Sequence, residues 1–255
     1  MSFGKIFSAE LMKFRTITAY LISAAAAILL TALGALSIGS SLDADGNLPL
    51  IARGDSAASM GSGVYAVTIP SDVLLYVMMV IGVLLATADL RSGSFRVTST
   101  MVPWRNRLLM AKFAAAATVT FAVTAVGLIV GSVGGLIGSG GNLSPLAGDG
   151  PVVLLGVLLG APLAAVLGVA TGLLMKSTGA AVAALLIWAL GIEQVLLFLI
   201  PSSVSAYLPF KTVGANAAII GVLGPLPGLG VFAVMVGVVV GAACVTHSRR
   251  DLSFT

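Results

Sequence analysis

The run Asp89-Leu-Arg-Ser-Gly-Ser-Phe-Arg-Val-Thr-Ser-Thr-Met-Val-Pro-Trp-Arg-Asn-Arg-Leu-Leu-Met-Ala-Lys112 carries five basic residues. It separates two apolar runs, at about residues 71–88 and 113–137. A helix rises about 1.5 Å per residue and the hydrocarbon core is about 30 Å thick, so about 20 apolar residues cross it. Four more runs qualify, at about 17–38, 152–175, 179–200 and 228–246. The composition agrees. Of the 255 residues, 58% are hydrophobic and only 9% are charged, with a mean hydropathy of +1.13. Soluble domains carry about 25% charged residues. An ordinary cytosolic domain, a disordered chain and a nucleic-acid binder with a basic surface are therefore excluded. The expected fold is an all-α integral membrane protein of six spans forming a single domain over residues 1–255.

The basic residues orient it. Lys5, Lys13, Arg15, Arg91, Arg96, Arg105, Arg107, Lys112, Lys176, Arg249 and Arg250 make 11 of the 13, and all fall on the side of the termini. Only Arg53 and Lys211 fall on the other side. The positive-inside rule puts the termini in the cytoplasm. The first span follows Lys5, Lys13 and Arg15, as a signal peptide would. Its apolar run of 22 residues exceeds the usual h-region of about 7–15, so it is expected to stay as a span.

Residues 3–14 carry an apolar stripe of Phe3, Phe7, Leu11 and Phe14, with Lys5, Glu10 and Lys13 off it. This pattern suits an amphipathic helix in the inner interface, with its aromatics down and its lysines toward anionic headgroups. It either anchors the first span or acts as a lever on it. Residues 201–227 are apolar but hold Pro201, Pro209, Pro225 and Pro227. A straight span is excluded there, and two short helices dipping into the outer leaflet are expected. In the internal loop, Gly93 permits a turn and Pro103 can open a helix. Asp89 and Lys112 stand at its two ends. Read as an exposed pair, they would contribute only about 0–1 kcal/mol.

Inside the spans, Glu193 stands out, with Gln194 beside it. A carboxyl group in a membrane is costly and by default a functional candidate. It either faces a central pathway or bonds to the outer loops. Glycines recur at spacing four: 127, 131 and 135; 156 and 160; 168 and 172; 237 and 241. Such spacing lets helices approach closely, within the chain or at a seam between subunits. Cys244 reads as a packing residue, and one Cys excludes an internal disulfide framework. The single His, His247, sits at the membrane edge, so neither a His-based metal site nor a catalytic triad is expected.

Ala9-Glu10-Leu-Met-Lys13-Phe-Arg15 before the first span is one part of a pattern. The other is Asp89…Arg91-Ser92-Gly93-Ser94…Thr98-Ser-Thr-Met-Val-Pro103-Trp-Arg105…Ala111-Lys112 after the second. Together they resemble the permeases of the type-2 group of ABC exporters. Asp89 stands where that family usually has Glu, and Ser94 where it has Thr. The resemblance implies a connecting helix made by Phe3, Phe7, Glu10, Leu11, Lys13, Phe14 and Arg15. It implies a coupling helix within about residues 94–104, in which Phe95, Val97, Met101, Pro103 and Trp104 dock on a separate ATPase, with Arg96, Arg105 and Arg107 steering it. Its further implications are Mg-ATP bound by that partner, a second identical or related permease subunit, and a multi-pass location in a bacterial cytoplasmic membrane.

The chain lacks the phosphate-cradling pattern G-x-x-x-x-G-K-[ST]. Lys176-Ser177 and Lys211-Thr212 follow Met175 and Phe210, not Gly. No cofactor is expected in this chain, and it is not expected to be an enzyme. Two other classes stay open. An ion-coupled secondary transporter or channel would need ionisable groups near the midplane, where Glu193 is the candidate. A membrane sensor or assembly protein would need no pathway. The cargo is not readable beyond a lipophilic or amphiphilic character suited to spans rich in Ala, Gly, Val and Leu.

Overall fold

The computed structural model describes residues 3–42, 62–91, 105–146, 150–205, 207–213 and 223–249. Every regular element among them is helical. In order they are α1 (Phe3–Thr16), α2 (Thr18–Ser40), α3 (Ser62–Arg91), α4 (Arg105–Gly138), α5 (Gly150–Met175) and α6 (Thr178–Leu186). A π-helical segment (Ile187–Ile192) leads into α7 (Glu193–Leu199). The short α8 (Ser202–Ser205), a 3₁₀ turn (Pro209–Lys211) and α9 (Pro225–Arg249) complete the chain. Six helical stretches are long and apolar enough to span a membrane: α2, α3, α4, α5, the continuous α6–π–α7 rod, and α9.

The expected spans differ from these at their ends. The second is expected to begin after Pro70, but α3 starts at Ser62 and carries Pro70 inside it. Proline removes one backbone donor and crowds the preceding turn. Here Gly34 of α2 receives the proline ring, where any Cβ would collide with it. Ser71 Oγ donates to the Val67 carbonyl, and Thr31 Oγ1 of α2, which donates to the Ala27 carbonyl at 2.8 Å, lies 3.5 Å from the Pro70 carbonyl. Neighbouring helices and hydroxyl groups are what make proline tolerable in a span. The third helix starts at Arg105, eight residues before its expected apolar run. Hydropathy marks the part that sits in lipid, whereas Arg, Asn, Leu and Met continue a helix beyond it. At 34 residues, α4 is about 50 Å long and outruns the hydrocarbon core. The expected loop 89–112 is thus helix at both ends, and residues 92–104 lie outside the described residues.

The centre of the bundle is α3 against α5. Of the apolar window of each, 61% and 56% is buried, against 17% in α2 and in the fifth span. Glycine makes this contact. A Cβ on Gly168 would collide with the Met79 carbonyl, and one on Gly82 with that of Ala165. On the flank, α2 packs on α4 through Gly134 and Gly138, whose Cα atoms face the carbonyls of Ala32 and Leu36. The spacing-four pattern points instead to Gly131 and Gly135 in this helix, and these lie over side chains of Thr31, Val67 and Leu143. Gly237 and Gly241 differ from all of these, because nothing lies within 4 Å of where their Cβ would be.

A two-residue link, Lys176-Ser177, joins α5 to α6, with Lys176 in the left-handed region (φ 54°) and Ser177 capping α6. Thr178 Oγ1 donates to Thr87 Oγ1 at 2.8 Å and fastens α6 to α3. Between the fifth and sixth spans, the described residues hold one four-residue helix and the 3₁₀ turn, while 214–222 lie outside them. Pro225 opens α9, so this proline belongs to the last helix and not to the preceding segment.

The glycine contacts set an expectation. Gly168→Ala should lower stability by about 1–3 kcal/mol, the usual cost of overpacking a close contact, read as a lower thermal midpoint in detergent. Gly237→Ala should leave the midpoint unchanged. Equal midpoints for both variants would contradict the packing described.

Candidate functional site

Four charged side chains meet where α1, α3 and α4 converge, at the end of the bundle that holds the termini. Lys112, eight residues into α4, is fully buried, and Glu10 is 3% exposed. The Lys112 ammonium donates to Asp89 Oδ2 of α3, to Glu10 Oε2 of α1 at 3.2 Å, and to the Leu85 carbonyl at 3.4 Å. Lys13 of α1 donates to Glu10 Oε1 at 2.8 Å and to both oxygens of Asp89, at 3.0 and 2.9 Å. Two ammonium groups thus face two carboxylates, and each carboxylate serves both lysines.

Local structure explains why these residues meet. Glu10 and Lys13 are three apart on one helix, within reach of each other. Asp89 lies in the last turn of α3, where the helix dipole disfavours an anion, so it needs cations beside it. Lys112 reaches across from α4 to supply one. Hydrophobic contacts complete the seat of α1. Ile6 packs with Leu108 and Ala111 of α4, and Phe14 lies against Tyr20 with ring centroids 5.1 Å apart. Burial on its own would lower the Lys13 pKa. Its hydrogen bonds to Glu10 and Asp89 outweigh that and hold it above its ordinary value of 10.5. A raised lysine pKa favours the folded state at all lower pH, and this contribution fades only as pH rises through the folded value.

The sequence-based expectations for α1 change accordingly. The face it buries against the protein is Ile6, Glu10 and Phe14, and of the apolar stripe expected to face lipid only Phe14 is buried there. Phe3 is exposed and stacks on the half-buried Phe7 with centroids 6.3 Å apart; Leu11 is half-buried and Arg15 exposed. Glu10 and Lys13, expected on the polar face, point into the protein. Asp89 and Lys112 are not an exposed pair of negligible strength but the core of a buried cluster. The signal in the sequence is opposite charge at the facing ends of two consecutive spans, with a further Glu/Lys pair upstream on one helix. Of the expected coupling residues, Phe95, Arg96, Val97, Met101, Pro103 and Trp104 lie outside the described residues. Arg105 opens α4, and Arg107 in its first turn is exposed.

Glu193 and Gln194 do not act as a pair. Glu193 is fully buried and Gln194, one step around the helix, is exposed. The Glu193 carboxyl accepts from Trp188 Nε1 at 3.0 Å and from the Phe210 backbone N–H at 3.0 and 3.2 Å. It therefore holds the 3₁₀ turn, one of the two roles open from the sequence. Cys244 packs against the main apolar cluster, as expected of it.

Comparisons of the chain with family models, curated proteins and solved structures find no match.

The charge cluster sets a second expectation. Lys112→Met leaves Asp89 and Glu10 short of a cation and should cost about 3–5 kcal/mol. Adding Asp89→Leu leaves the neutral pair Glu10–Lys13, so the double variant should recover much of that loss. Thermal midpoints of the single and double variants measure the coupling. Additive losses would contradict a shared cluster.

Proposed function

We propose that this chain is the transmembrane subunit of an ATP-driven ABC exporter of the type-2 group. In this reading two permease subunits, identical or related, form the substrate pathway, and separate ATPase subunits sit beneath them. The observation that carries it is the buried cluster of Glu10, Lys13, Asp89 and Lys112. It fuses α1 to the two helices that bracket residues 92–104, so that α1, α3 and α4 form one stiff unit on the basic face of the bundle. A force applied to that face from the cytosol is delivered to the centre of the bundle, because α3 is its most buried helix.

A packed interior passes on such a displacement, since close-packed helices shift as units and do not deform continuously. Nucleotide binding and release in the partner would rock this unit. At the α3–α5 contact, Gly82 and Gly168 bring the backbones close beside packed apolar side chains, and in this reading the two helices shift there against each other. The resemblance adds the residues that would grip the partner: Phe95, Val97, Met101, Pro103 and Trp104, with Arg96, Arg105 and Arg107 around them. Mg-ATP belongs to the partner. Against the ion-coupled alternative stands Glu193, whose carboxyl is already engaged by Trp188 and Phe210.

The test is purification from native membranes. An ATPase subunit should copurify, and a lipophilic or amphiphilic cargo should stimulate its hydrolysis. Met101→Ala/Trp104→Ala should abolish the stimulation. A chain that purifies with no ATPase, or a double variant with full cargo-stimulated hydrolysis, would contradict the proposal.

A further inference from the structure

At the end of the bundle opposite the termini, residues 209–213 do not lie over the spans but enter between them. Phe210 and Val213 are each 2% exposed and belong to one apolar cluster with Leu75 of α3, Ala164 of α5, Leu185 of α6 and Phe232 of α9. Phe210 meets Phe232 edge to face, with centroids 5.5 Å apart. The seats are glycines. Val213 fills the space over Gly160 of α5, where a Cβ would collide with it, and the Thr212 carbonyl lies over Gly228 of α9 in the same way.

The turn is also held by charge. Glu193 takes the Phe210 N–H with both carboxyl oxygens. Lys211 is 6% exposed and within electrostatic reach of Glu193 and of Asp72 on α3. Glu193 sits immediately after the π-helical segment, in the helix that has the least burial among the spans along with α2. Single π segments in helices recur at functional sites. A permanent cap would be better made from apolar contacts alone, because buried charges add little net stability against an apolar substitute. They do make seating all-or-none. When the turn leaves, the Phe210 N–H loses its acceptor, and the Glu193 carboxyl loses that donor and keeps Trp188 Nε1.

We propose that residues 209–213 are a removable plug in the end of the bundle opposite the termini, and that the Glu193 carboxyl is the pin that seats it. What the plug closes, an outer exit for cargo, rests on the exporter reading above. That it is seated and pinned rests on the geometry alone. The glycine seats admit the turn closely, withdrawal also frees Phe210 from Phe232, and the Glu193 pin adds its hydrogen bonds to what holds the turn in place.

The test uses the full chain with its copurified partners in lipid nanodiscs, in a Cys244→Ala background. With Val213→Cys added, a polar maleimide should label slowly. Adding Glu193→Ala should speed labelling about tenfold or more, the factor expected from losing hydrogen bonds of ordinary to charge-assisted strength. Glu193→Gln, which keeps an acceptor for the Phe210 N–H, should stay closer to the parent. Fast labelling of the parent, or an unchanged rate in Glu193→Ala with an intact thermal transition, would overturn the pin. A second variant does not touch Glu193: Gly160→Cys/Val213→Cys, oxidised to a disulfide, should lock the plug and stop cargo movement reversibly. Full export by the cross-linked protein would overturn the plug as a gate. Labelling needs no transport assay, so a chain that moves no cargo would fail the exporter reading without being mistaken for failure of the pin.

Discussion

A lysine ammonium with no exposure to solvent must be matched by anions, because an unpaired buried charge costs several kcal/mol. Lys112 is such a group, and Asp89 and Glu10 are its match. Satisfying both carboxylates in turn requires Lys13. The four residues come from three helices, so the charge pairing dictates where α1 lies and how the last turn of α3 meets α4. Taking any one away leaves the rest with surplus charge.

From that charged knot the bundle is built by close approach of backbones together with packed apolar side chains. In lipid there is no hydrophobic drive to bring apolar helices together, so small residues that bring backbones near are what make contact favourable. Gly82 and Gly168 do this for α3 and α5, and Gly134 and Gly138 for α2 and α4. At the opposite end the same principle recurs, with Gly160 and Gly228 receiving the turn that Glu193 holds. The molecule thus has a buried charge cluster at the end of the bundle that holds the termini, a core packed through glycines and apolar side chains, and a turn held by Glu193 at the other end. The proposed transport cycle would push on the first end and open the second.

Six apolar runs are enough to read six membrane-spanning helices from the residues themselves, because burial in hydrocarbon leaves a strong compositional mark. Helix ends are less legible. Pro70 looks like a start because the glycine that accommodates it, Gly34, lies 36 positions away in a different helix. Arg105 looks like loop because hydropathy cannot distinguish a helix that leaves the membrane from a turn. The orientation of α1 is hidden for the same kind of reason. Periodicity marks an aromatic stripe and leaves Glu10 and Lys13 off it, and nothing local to residues 3–16 shows that Asp89 and Lys112 await them. Glu193 is visible by chemistry alone, as a carboxyl in a span, but its partner Phe210 contributes a backbone N–H, which has no signature in the sequence.

The proposed ATP-driven function requires force to enter through the face between α3 and α4. A photoreactive phenylalanine analogue in place of Trp104, activated in native membranes, measures what touches that face. The expected product is a covalent adduct with a nucleotide-hydrolysing subunit, whose yield changes with ATP. Adducts formed only with lipid or with this chain itself would contradict that route.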